Sequence, residues 1–272
     1  MPETTLSGRR IVWREAGNGP PVILLHCSSS HSGQWKPLIE QLSGAFRCLA
    51  PDLHGYGQSE IIPDDGQPYG PHDAAIVKHL LDVVDEPAHV VGHSLGGTIA
   101  LRAALDNPGR LRSLTLIEPV LFGFLEAARD PDRLEYLQVA HDALIMMHFE
   151  NAKGAAKLFT DFWMGDGAFE AMDAATQSYV VSVMPRVAED WLGISHVAPG
   201  ALSLGDLAKL TMPCHLVRSE DTQVSVQKIM SLLKTALPDA RWSEVPKAGH
   251  MAPVTHASTV NPLIADFLSD LA

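Results

Sequence analysis

The sequence predicts an α/β fold: a mostly parallel central sheet with helices on both faces and an inserted helical cap. Three observations predict it. Short apolar runs alternate with segments of helical spacing, the pattern of repeated βα units. Several of those runs are apolar throughout, as in strands buried on both faces. The alternation then lapses between about Leu121 and Ser203, where the spacing is mostly helical, and resumes afterwards.

The elements follow in order. RIVWREAG (10–17) alternates like a strand, and PVILLHC (21–27) is a continuous apolar run. FRCLAPDL (46–53) is similar, and IVKHLLDVV (76–84) has helical spacing. AHVVGHS (88–94) is a strand that runs into a glycine turn. LGGTIALRAALDNPG (95–109) is a helix stopped by Asn107-Pro108-Gly109. LRSLTLIEP (111–119) is the next strand. LEYLQVAHDALIMMHF and AAKLFTDFW carry the helical spacing of the middle block. PCHLVRSE (213–220), SVQKIMSLLKTAL (225–237), ARWSEVP (240–246) and STVNPLIADFLSDLA complete the alternation as strand, helix, strand, helix. The expected division is a core of residues 1–121 and 204–272 with a helical cap of 122–203.

Composition excludes several classes of function. With 32 acidic residues against 20 Lys and Arg, the formal charge is −12. Such a surface repels phosphate backbones, so no nucleic-acid partner is expected. No apolar run reaches bilayer length, and the first ten residues carry no signal-peptide pattern. No membrane partner is expected. Cys27, Cys48 and Cys214 lie far apart, which suggests free thiols and a cytoplasmic location. The 13 histidines are scattered without an HExxH pair, and no GxGxxG is present. Neither metal nor cofactor is expected.

The chemistry concentrates in GHSLGG (92–97), which fits G-x-S-x-G around Ser94, after a strand and before a helix. In that context a serine is held on a sharp turn, and its flanking glycines give it room. A serine hydroxyl needs a base, and KAGHMAPVTHA (247–257) supplies two histidines after the last strand. His250, beside Ala248-Gly249, is the expected base; His256 is expected to begin the final helix. The base needs a carboxylate partner. Asp221 is the leading candidate, deep in the loop after CHLV, with Glu118 and Glu220 as alternatives. The oxyanion of an acyl-transfer intermediate needs preorganised donors, worth about 3–4 kcal/mol each. The N–H groups of Leu95 and Ser28 are expected to supply them. Trp35, Met146, Phe162 and Trp163 are candidates for an apolar substrate pocket. Cys27, His26 and His93 flank the site and are expected to be packing residues, as are Asp52 and Ser59.

In these motifs the chain resembles the α/β-hydrolase-fold proteins with a helical cap, over nearly its whole length. Four motifs carry the resemblance: the His26 loop with Ser30 to Trp35, PDLHGYGQS (51–59), GHSLGG, and SED (219–221) with GH (249–250). The resemblance implies Ser94 as nucleophile, His250 as base and Asp221 as acid, with Leu95 and Ser28 as oxyanion donors. The chain departs from many relatives at Cys27, where they carry glycine after the histidine. It departs again at Arg218, where they carry glycine three residues before the acid. The function implied is a serine hydrolase cleaving an ester or related acyl bond of a small molecule: a carboxylesterase, lactonase or thioesterase. Alternatives on the same triad are a cofactor-free perhydrolase or haloperoxidase-like enzyme and a C–C hydrolase. A ligand-binding receptor on the same scaffold is the alternative of another class.

Overall fold

The computed structural model describes residues 1–62, 69–195 and 200–271. Residues 196–199 of the expected cap, and Ala272 at the end of the expected final helix, lie outside them. The strands are β1 (Glu3–Leu6), β2 (Arg9–Ala16), β3 (Pro21–Leu25), β4 (Arg47–Pro51), β5 (Ala88–His93), β6 (Leu111–Ile117), β7 (Cys214–Ser219) and β8 (Arg241–Val245). They form one sheet in the order β1-β2-β4-β3-β5-β6-β7-β8. β1 and β2 run antiparallel at one edge, and every pairing from β4 to β8 is parallel.

The helices are α1 (Lys36–Leu42), α2 (Tyr69–Val84), α3 (Leu95–Asp106), α4 (Phe122–Ala127), α5 (Arg133–His148), α6 (Ala152–Met164), α7 (Ala168–Ala171), α8 (Ala174–Gly193), α9 (Val224–Ala236), α10 (Ala252–Thr255) and α11 (Ala257–Ser269). Successive strand residues face opposite sides, so a strand covered on both sides must be apolar throughout. β3 obeys this: Ile23 and Leu25 join one core, while Val22 and Leu24 join the other. The first core holds Ile76 and Leu80 of α2, Ile99 of α3 and Ile229 of α9. The second holds Leu38 of α1 and Val260 and Ile264 of α11.

Outside the middle block three elements go beyond the expected ones, the last of them the one-turn α10 between β8 and α11. β1 is a four-residue edge strand, half exposed, with no apolar pattern to announce it. α1 carries Pro37 in its first turn, where a missing N–H costs nothing, and buries Leu38, Ile39 and Leu42. Between β6 and β7 the described residues are helical apart from their connections, and α4 to α8 add Phe122, Phe159, Val183 and Met184 to the first core. The middle block therefore shares the core of α2, α3 and α9, and it meets the C-terminal ends of β5 and β6 at one cavity.

Candidate active site

β5 ends at His93, and α3 begins at Leu95, which leaves Ser94 alone in the turn. Its backbone adopts φ 56° and ψ −119°, a region that side chains rarely enter. The two glycines around it are needed for contact distances. A Cβ on Gly92 would strike the backbone of Gly96 and Gly97, and one on Gly96 would strike the carbonyls of Leu25 and His26. Strand and helix approach so closely there that only glycine fits.

His250 follows β8, and its Nε2 lies 2.9 Å from Ser94 Oγ. Its Nδ1 lies 2.8 Å from Glu118 Oε2. Glu118 is fully buried at the end of β6, with φ 45°. Its carboxylate accepts two further bonds: Oε1 from the Ser219 N–H at 2.5 Å and Oε2 from Thr222 Oγ1 at 2.8 Å. The structure thus corrects the leading expectation for the acid. Asp221 is exposed, and its N–H bonds the Ala248 carbonyl at 2.9 Å, which orders the loop from outside. Glu220 is likewise exposed and accepts the Lys247 N–H at 2.8 Å. The loop after β7 turns its backbone inward, and Thr222 and Ser219 serve Glu118 in place of an acid of their own.

The surrounding histidines are packing groups. His26 donates from Nδ1 to the Cys27 carbonyl at 2.8 Å and accepts the Leu53 N–H at Nε2. His93 donates from Nε2 to the carbonyl of His250 at 2.9 Å, with Gln34 against its Nδ1 at 3.1 Å. Burial lowers both imidazoles, His26 to about 4 and His93 well below the ordinary value. His93 therefore pins the backbone of the histidine that faces Ser94. His256 pairs with Thr255 Oγ1 at 2.8 Å and stands at the N-cap position of α11, where its carbonyl accepts the Val260 N–H. Asp52 accepts the N–H groups of Ser32 and Gln58, and Ser59 donates to the Asp52 carbonyl, so that loop holds the chain behind β3. Arg218 pairs with Glu244 at 2.8 Å.

Ser94, Leu95, Ser28 and His250 border one cavity of about 480 Å³. Leu95 is the first residue of α3, so no earlier turn supplies a partner for its N–H. The Cys27 N–H donates to Gln34 Oε1 at 3.2 Å, and Ser28 is the next residue along. Cys27 itself is 3% exposed, and burial pushes its thiol up to about 12. It packs as a small, largely buried residue in the cavity wall beside Ser28.

Residues 22–262 match the family model described as the alpha/beta hydrolase family. The chain belongs to the α/β hydrolase family. This hydrolase is 27% identical to a 2-hydroxy-6-oxo-6-phenylhexa-2,4-dienoate hydrolase of Burkholderia cepacia, over 98% of its own length and 94% of the relative's. It is 37% identical to the pimeloyl-[acyl-carrier protein] methyl ester esterase of Methylococcus capsulatus, over 38% of each chain. Among solved structures, an esterase of Rhodococcus sp. ECU1013 superposes with a TM-score of 0.78 at 21% identity, covering 99% of this chain and 98% of that one. An enol-lactonase of Burkholderia xenovorans LB400 gives 0.76 at 19% identity, covering 98% and 100%.

Of the four expected pocket residues, the cavity of this hydrolase takes one. Trp163 lines it, with its ring 4.0 Å from the His250 ring and stacked on it at 29°. Phe162 is its neighbour on α6. Adjacent helical residues point about 100° apart, so Phe162 packs on the side of Trp163 while its carbonyl accepts from Gln223. Met146 packs against the first core on α5, and Trp35 is 1% exposed in the second core. Neither borders the cavity. The lining the sequence did not announce is Phe122, Phe159, Val180 and Trp191, drawn from α4, α6 and α8. Their spacing is that of ordinary core residues, and only the packed helices reveal which of them face the serine. Among the described residues no His, Cys, Asp and Glu cluster could hold a metal ion. None of the described helices is long and apolar enough to cross a membrane.

Proposed function

We propose that this hydrolase cleaves an ester or a related acyl bond of a small, largely apolar molecule through Ser94, His250 and Glu118. One observation carries the reading: Ser94 Oγ, His250 and the Glu118 carboxylate form an unbroken hydrogen-bonded line, 2.9 Å and 2.8 Å, at the wall of the cavity. Ser94 attacks the acyl carbon while His250 Nε2 takes its proton. Glu118 fixes the imidazole through Nδ1 and stabilises the imidazolium. The N–H groups of Leu95 and Ser28 hold the oxyanion, His250 returns the proton to the leaving group, and water clears the acyl-enzyme. The helices of 122–203 act as a cap that closes the cavity over the acyl group. The buried free thiols support a reducing compartment, the cytoplasm.

The test is turnover of p-nitrophenyl esters from acetyl to decanoyl by wild type beside Ser94→Ala. Turnover by wild type and loss in the variant supports the reading, and the chain-length optimum sizes the acyl pocket. The full-length relative from Burkholderia cepacia bears the name of a dienoate hydrolase and favours C–C hydrolysis as the second reading. Inert esters together with hydrolysis of a vinylogous 1,5-diketone would select it.

A further inference from the structure

One corner of the cavity is polar. It is built by Asp190 of α8, Ser28 after β3, and the buried groups behind them. Asp190 is 4% exposed and borders the cavity. Its Oδ2 accepts from Tyr56 OH at 2.5 Å and from Ser28 Oγ at 3.1 Å. Its Oδ1 is paired with the guanidinium of Arg186, one turn earlier on the same helix.

Arg186 is fully occupied behind the wall. It donates to Asp73 Oδ2 at 2.7 Å and to the His54 carbonyl at 2.9 Å, and it stacks over the Tyr69 ring at 3.6 Å. It does not border the cavity. Two carboxylates share this one guanidinium, and Asp73 also meets His54 Nδ1 at 3.1 Å, so Asp190 has only a part share in Arg186 as its cation. Burial pushes the Asp190 carboxyl up to about 6 against the pull of Arg186, so above neutral pH it is the anion.

The consequence for a ligand follows from donor counting. The Ser28 hydroxyl spends its one proton on Asp190, so its oxygen presents lone pairs to the cavity. Among the described lining residues Asp190 is the one carboxylate, and there is no lysine or arginine. His31 uses Nδ1 to accept the Gly33 N–H, so that nitrogen offers a ligand carboxylate no proton. A buried carboxylate on a ligand would therefore meet a like charge at Asp190 and find no lysine or arginine among the described lining residues to pair with.

We propose that the Ser28–Asp190 corner is a substrate-selecting subsite, which accepts acyl compounds bearing a hydroxyl or ammonium group and rejects those bearing a second carboxylate. The inference rests on the acyl-hydrolase reading of the same cavity and narrows its substrate class. It also separates this chain from the dienoate chemistry named for its full-length relative.

The test compares p-nitrophenyl butyrate, p-nitrophenyl 3-hydroxybutyrate and mono-p-nitrophenyl succinate at pH 8. Binding to Ser94→Ala is measured by calorimetry and turnover by wild type, which keeps the two readings apart. Turnover reports on the acyl-hydrolase reading, and binding to the inert variant reports on the subsite. The expected result is succinate monoester bound at least about tenfold more weakly than the butyrate, and the hydroxy ester at least as tightly. In Ser94→Ala/Asp190→Asn the gap against the succinate monoester narrows at least about fivefold. Should that variant fail to fold, Ser94→Ala/Ser28→Ala is expected to lose the hydroxy-ester preference. Equal or tighter binding of the succinate monoester by Ser94→Ala overturns the proposal, whatever the turnover results show.

Discussion

Glu118, at the end of β6, holds Nδ1 of His250 from 132 residues away at 2.8 Å. The carboxylate is fully buried, and Ser219 and Thr222 bind its two oxygens, so its direction is set before any substrate arrives. Glu118→Gln is expected to lower kcat about 10³–10⁴-fold, because the amide no longer selects the required tautomer, and to lower the melting temperature by about 2–6 °C, because one end of the amide then sets an N–H against a buried donor. Asp221→Asn should change kcat less than about threefold. Steady-state kinetics of both variants checks the assignment, and the reverse order of effects would return the acid to the loop after β7.

How far the sequence told this in advance varied by residue. That Ser94 and His250 would meet was legible, because Ser94 follows a strand between flanking glycines, His250 stands beside Gly249 in the loop after the last strand, and chain order allows few other places. The β3, β5 and β6 runs were legible because burial on both faces demands unbroken apolar sequence. The choice between Glu118 and Asp221 was not legible. Both follow a strand that ends beside the serine, and the decision rests on whether a side chain or a backbone points inward. Nothing in SED distinguishes Ser219 donating to Glu118 from an acid pointing at His250. The pocket was hidden for a related reason: helical spacing marks a buried face without saying whether a cavity or a core lies beneath it.

Trp163 covers the outer face of the His250 ring at 4.0 Å. On the proposed mechanism an imidazolium forms there during acylation, and an indole face favours it by about 0.5–2 kcal/mol. Trp163→Leu is therefore expected to lower kcat about 3–30-fold. KM should move by less, because the contact strengthens only as charge develops. Trp163→Phe should recover part of the loss. A fall in KM-derived binding with kcat intact would reduce Trp163 to a wall of the pocket.

Arg186 ties α8 to α2 and to the loop after β4 through Asp73 and the His54 carbonyl. Pro185 precedes it inside α8 and removes one N–H from the helical ladder beside the guanidinium. Arg186→Met leaves Asp73 and Asp190 buried without their cation, which costs about 3–5 kcal/mol. The melting temperature should drop by roughly 10 °C. Asp73→Asn/Asp190→Asn in the same background should restore most of it, since the cost lies in the uncompensated charges. A single variant as stable as wild type would show that water reaches the cluster.

Acid should destabilise the fold before it protonates most carboxylates. Burial lowers His26, His89 and His215 to about 4 each, so they stay neutral in the native state while the unfolded chain protonates them near 6.5. Below 6.5 the unfolded state binds more protons, so stability is full above that pH and is lost as pH falls toward 4. Each histidine is worth up to about 3 kcal/mol at the lower limit. Asp190 opposes them: its carboxyl, raised to about 6, binds its proton more readily in the fold and gains stability over the same interval. Three histidines outweigh one carboxyl, so melting temperature should fall steadily from pH 6.5 to 4.5. His89 is fully buried, with Nδ1 against Ser113 Oγ at 2.7 Å, and it lies outside the Ser94–His250–Glu118 line. His89→Asn should lower stability at pH 7.5 yet flatten the slope. Thermal melts of both proteins across that range decide the matter, and a wild-type melting temperature that rises toward pH 5 would mean that the buried imidazoles are not what acid attacks first.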